Sequence, residues 1–128
     1  MAKRKAKRAA RRRSGKKRVP RRTRSRGNEK LPKDSVTLTV LLRAREGQET
    51  LLEAELRALA GPSRKEDGCL RYDLHRCLDT PGALLLHEVW ASRDAHTEHT
   101  HTRHFLRWNA RKDALIASRD ANFWKQIA

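Results

Sequence analysis

"CLRYDLHRCLDTPGALLLHEVW", residues 69–90, decides the fold. In its first half Leu70, Tyr72 and Leu74 fall on one face, while Cys69, Asp73, His75 and Cys77 fall on the other. An alternation of period two predicts a strand. "DTPG" at 79–82 puts proline and glycine where a tight turn takes them, and "ALLLHEVW" then returns as a second strand. Two strands joined by a short turn make an antiparallel hairpin.

Upstream, "VTLTVLL" at 36–42 sets Val36, Leu38, Val40 and Leu42 against Thr37, Thr39 and Leu41, which is another strand. Gly47 then opens "QETLLEAELRALA", where Leu52, Leu56 and Leu59 recur at helical spacing with acids early in the segment. This helix is expected to end or kink near "GPS" at 61–63. "EDG" at 66–68 reads as a turn. Downstream of the hairpin, Ser92 caps a helical segment rich in histidine, and a break is expected around Thr100 to Thr102. "RHFLRWNARKDALIA" continues as helix, with Phe105, Trp108, Leu115 and Ile116 apolar, and "NFWKQI" is suited to a last strand. The order βαββαβ is that of a ferredoxin-like α+β sandwich, with helices on one side of an antiparallel sheet. Nothing in the chain remains to cover the other side, so a homodimer is expected.

Composition divides the chain. The 128 residues carry 31 Lys and Arg against 15 Asp and Glu, a formal net charge of +16. Sixteen of those bases and one acid, Glu29, lie in residues 1–30, whereas residues 31–128 are almost balanced. Residues 1–30 contain one aliphatic β-branched residue, Val19, and no aromatic, Leu or Ile, so nothing there offsets the entropy of ordering. They read as a disordered polybasic arm ahead of a domain at 31–128. Arg11, Arg12, Arg13, Lys16, Lys17, Arg18, Arg21 and Arg22 are its candidates for contacting nucleic acid or another polyanion, by counterion release and without sequence readout. Nuclear import in a eukaryotic host, a solubility tail and a start codon placed too far upstream are the alternatives. No stretch suits a secretory signal or a membrane span, so the expected location is cytoplasmic, with no membrane partner.

Cys69 and Cys77 lie on one strand about 27 Å apart, too far for a disulfide, and read as reduced structural thiols. Five of the six histidines fall within residues 87–105. On a continuous helix His96 and His99 stand about 60° apart, His101 points elsewhere and His104 is two turns away. No pair sits at i, i+4, so no metal ligands are expected. Most of the five read as solvated helix residues, and His87 as a sheet residue.

"EVWASRDAHTEHTHTRHF" resembles the signature of the antibiotic biosynthesis monooxygenase domain, carried here by Glu88, Trp90, Ala95, His99, His104 and Phe105. Gly68, Cys69, Tyr72, Pro81 and Gly82 match the same family's turn, strand and hairpin, and the resemblance runs from about residue 35 to 127. It implies a dimeric α/β-barrel built from ferredoxin-like domains. It also implies oxidation of a quinol, anthrone or similar phenol by O₂ with no cofactor, although the family includes haem-degrading relatives. Those use an asparagine on the first strand, which "VTLTVLL" lacks, so haem binding is the lesser reading. On this resemblance His99 is the expected proton acceptor, with His104 as alternate or orienting residue. Trp90, Tyr72 and Phe105 would shape the substrate pocket, and Glu88 would orient an imidazole or hold the substrate hydroxyl. A catalytically silent dimer that carries its arm to a polyanion is the competing reading.

Overall fold

The structure is a computed structural model that describes residues 30–128. The eight arm residues expected to meet a polyanion lie outside the described residues. The elements run β1 (Val36–Ala44), α1 (Glu49–Arg64), β2 (Cys69–Arg76), β3 (Ala83–Trp90), α2 (Arg93–His99), α3 (Arg103–Leu115) and β4 (Ile116–Trp124). The strands form one antiparallel sheet in the order β2-β3-β1-β4. This is the ferredoxin-like α+β arrangement expected from the sequence.

Alternation on β1 and β3 makes the core. Leu38, Val40 and Leu42 of β1 and Leu84 and Leu86 of β3 are buried with Leu52, Leu56 and Leu59 of α1 and with Trp108 and Leu115 of α3. Each leucine withdrawn from water contributes about 1.5–3 kcal/mol. The opposite sheet face presents Thr37, Thr39 and Leu41 of β1 beside Leu85 and His87 of β3, all only half-buried. Trp124 stands there 54% exposed, its indole N–H donating to Thr39 Oγ1 at 2.7 Å.

The first helix ends as expected near "GPS": α1 runs to Arg64 with Pro62 inside its last turn. Proline there removes only one backbone donor, and buried Ser63 anchors the turn by donating to the Leu59 carbonyl at 2.7 Å. Two expectations need correction, both in strands. Leu70 does not share a face with Tyr72 and Leu74. The β2–β3 register shifts between Cys69 and Arg71, so an extra residue turns Leu70 outward, 43% exposed, and Cys69 packs against the core instead. Finally, Ile116 belongs to β4 rather than to the preceding helix, and β4 starts well ahead of "NFWKQI". Its first half, "IASRD", is a polar edge strand paired with β1, and such strands lack the apolar alternation that reveals interior ones.

Candidate active site

The site is assembled by one close approach and two helix caps. Gly68 follows the turn after α1 and meets α2 so tightly that a Cβ there would collide with the Ala95 side chain. Glycine is therefore required to bring Glu66 against the histidine segment. Ser92 accepts from Ala95 N at 3.0 Å and starts α2, and Thr102 accepts from Phe105 N at 3.2 Å and starts α3. The break between the caps swings His104 back toward His99.

Glu66 joins the two. Its Oε2 lies 2.7 Å from His99 Nδ1 and 2.6 Å from His104 Nε2. An ionised carboxylate only accepts, so both ring nitrogens donate to it, and His99 is left with Nε2 as its basic nitrogen. His99 is 1% exposed, its ring 4.6 Å from the Trp90 ring and 5.1 Å from that of Phe105. Burial holds this imidazole below its ordinary value of 6.5, the Glu66 hydrogen bond and charge opposing. It is uncharged at neutral pH and free to take a proton.

Between sheet and helices lies a cavity of about 260 Å³. Leu38, Val40, Leu86, Phe105 and Trp108 give it apolar walls, and Tyr72, Glu88, His96 and His99 give it polar groups. Lys112 and Arg119 also line it. Glu88 is 3% exposed and accepts from the Trp90 indole N–H at 2.8 Å. Burial pushes its carboxyl up to about 7, against the Trp90 hydrogen bond and the Arg119 charge. Near neutral pH it can hold or release a proton. Tyr72 is buried and its hydroxyl is raised by burial, so it stays protonated.

Of the residues singled out in the sequence, His99, Glu88, Tyr72 and Phe105 line the cavity. Trp90 stands behind it, holding Glu88 and the His99 ring. His104 opens instead on a neighbouring cleft with Pro62, Arg103, Arg107 and Trp108. Tyr72 is 1% exposed, so its hydroxyl is in the interior. His96 was expected in solvent, yet it packs at 5.8 Å from Trp90 and 5.1 Å from Phe123, with burial holding it down at about 4. Its proximity to His99 on the helical wheel was the available signal. Glu66 and Arg119 had none, because both enter from distant turns and strands. Cys69 is held up at about 11, chiefly by burial, consistent with an unreactive thiol.

Fold and cavity define a class: a ferredoxin-like domain with a buried imidazole pocket between sheet and helices. The antibiotic biosynthesis monooxygenase profile matches residues 35–111, and the chain belongs to that family. It is 42% identical over 65 residues to Rv0793 of Mycobacterium tuberculosis, which carries a provisional monooxygenase name; the match spans 51% of this chain and 63% of that relative. The crystal structure of PA3566 from Pseudomonas aeruginosa superposes with a TM-score of 0.72 at 36% identity, covering 74% of this chain and 96% of that one. The Rv0793 structure gives 0.70 at 30% identity, covering 73% and 96%. No described helix is long and apolar enough to cross a membrane.

Proposed function

We propose that this protein is a monooxygenase that oxidises a small quinol or related phenol with O₂ in the cavity, without metal or flavin, and that it works as a homodimer. The observation that carries the reading is His99: a buried, neutral imidazole lining an apolar-walled cavity, with Nδ1 tied to Glu66. A phenolic hydroxyl beside it gives its proton to Nε2. The phenolate passes one electron to O₂, and the radical pair joins as a ring hydroperoxide. Loss of water then leaves a carbonyl. A quinol and one O₂ become a hydroxyquinone and one water, so the substrate supplies all the electrons. Glu88, which lines the same cavity, would hold the second hydroxyl, and the apolar walls would keep bulk water from the radical pair. At about 260 Å³ the cavity falls below the ~300–1,000 Å³ typical of sites for drug-sized ligands, which favours one or two rings over a tricyclic anthrone. The half-buried outer sheet face with Leu41, Leu85 and Trp124 supports pairing with a second copy.

Oxygen uptake by the full chain with benzo- and naphthohydroquinones tests the proposal. Uptake of one O₂ per quinone formed, indifferent to chelator and reduced roughly 10²–10⁴-fold in His99→Ala, is expected. Uptake no faster than the spontaneous rate with every member of the panel would overturn it. The charge gathered in residues 1–30 supports a second, separable role in polyanion contact. Deleting them should abolish salt-sensitive retention of DNA and leave turnover intact.

A further inference from the structure

Glu66, His99 and His104 come from three places in the chain, the turn after α1, the end of α2 and the first turn of α3, yet their nearest side-chain nitrogens and oxygen all lie within 4.8 Å of one another. Two imidazoles and a carboxylate converging on one point are more than either a proton acceptor or its orienting group requires. His104 does not line the cavity, so the substrate reaction leaves its attachment to Glu66 unused. We propose that the cluster is a binding site for a borderline divalent metal ion of the Zn²⁺ type, held by a Glu66 carboxylate oxygen, His99 Nδ1 and His104 Nε2, and that the ion switches the pocket off.

The chemistry of the donors fits. Imidazole nitrogen and carboxylate oxygen suit Zn²⁺, which takes them at about 2.0–2.2 Å with three protein ligands and one water. Tetrahedral geometry at those bond lengths needs donors about 3.3 Å apart, against 2.7 and 2.6 Å in the hydrogen-bonded cluster. The carboxylate oxygen must therefore draw back by roughly half an ångström from each nitrogen, while the two nitrogens, within 4.8 Å of one another, close on the ion. His99 is fixed by the Trp90 and Phe105 rings, so the movement falls to Glu66 and His104, whose side chains are 16% and 24% exposed. That exposure also gives the ion a way in and room for its water. Cys69 and the other histidines are not part of the cluster.

The effect on the pocket follows from the two nitrogens of one ring. With Glu66 accepting from Nδ1–H, Nε2 carries the lone pair. With a metal on Nδ1, the ring's one proton moves to Nε2, and the nitrogen that would accept a substrate proton becomes a donor. Neutral imidazole is conserved, the proton changes nitrogen through solvent, and the metal takes the lone pair exposed at Nδ1. Binding rests on the geometry alone. Inhibition rests in addition on the proposed role of His99.

Chelator-treated full chain titrated with Co²⁺, whose visible absorption reports its coordination, gives a test independent of turnover. One Co²⁺ per chain, displaced by Zn²⁺ and bound at least tenfold more weakly by both His104→Ala and Glu66→Gln, is expected. His104 is partly exposed, so its alanine variant keeps the fold, which its far-ultraviolet circular dichroism checks. His101→Ala, altering a surface histidine outside the cluster, should bind Co²⁺ as the parent does. Absence of saturable binding, or binding undiminished in both cluster variants, would overturn the site. In the same samples Zn²⁺ should suppress quinol-dependent oxygen uptake and chelator should restore it. Binding with turnover unaffected by Zn²⁺ would overturn the switch. Metal binding with no turnover on any quinol would keep the site, remove the switch and refute the proposed function.

Discussion

Replacing Glu88 by glutamine should make the protein more stable, and only above a defined pH. The carboxyl is 3% exposed and pushed up by burial from 4.5 to about 7. In the unfolded chain it titrates at its ordinary value, so between pH 4.5 and 7 the folded state holds a proton that the unfolded state has lost. Proton binding by the folded state means that stability falls as pH rises through this window. At about 1.4 kcal/mol per pH unit, the full penalty above pH 7 is roughly 3 kcal/mol. Glutamine keeps the shape and an oxygen for the Trp90 indole, and it never ionises. The Glu88→Gln chain should therefore unfold at higher urea than the parent at pH 8, by about 2–3 kcal/mol, with the gap closing by pH 4.5. His96, held down at about 4, also makes stability pH-dependent, in the opposite sense, but it is common to both chains and drops out of the difference. Urea denaturation at pH 4.5, 6, 7 and 8, at one fixed protein concentration because pairing would add to stability, is the assay. A difference that does not change with pH, or a variant less stable at pH 8, would refute the account of Glu88 as a buried group held against its charge.

Trp90→Phe keeps a ring against His99 but removes the indole donor from Glu88; a loss of about 1–3 kcal/mol at pH 8 that shrinks at pH 5, followed by denaturation, is expected. Thr102→Ala deletes the cap of α3 and should cost about 0.5–2 kcal/mol in the same assay. Leu56→Ala, at a position with no exposed surface in the middle of the core, should cost about 2–5 kcal/mol and lower the thermal midpoint accordingly.

The hairpin, the first strand, the Ser92 cap and the histidine break were legible because each has a local signature: alternation, a Pro-Gly turn, a hydroxyl residue before a helix. The end of α1 was legible too, because proline is tolerated near a helix end but not in its interior, and Pro62 falls in the last turn. β4 was hidden by its polarity. At the site, the resemblance singled out His99, His104, Glu88 and Tyr72, and the structure shows which of them share a cavity. Glu66 escaped because the wheel compares residues within one helix, whereas this cluster closes across a turn 33 and 38 residues away from the two histidines.

The contact between Gly68 and Ala95 makes the geometry of the histidine cluster depend on the bulk at two small residues. α2 is seven residues long and its seating depends on how little side chain lies between it and the turn before β2. What matters is the combined bulk at the two positions. Moving the methyl from one side to the other preserves the spacing, whereas adding one carbon at either pushes α2 and His99 outward from Glu66. A single carbon added at either position, remote from any reacting group, would thus loosen the grip on the imidazole.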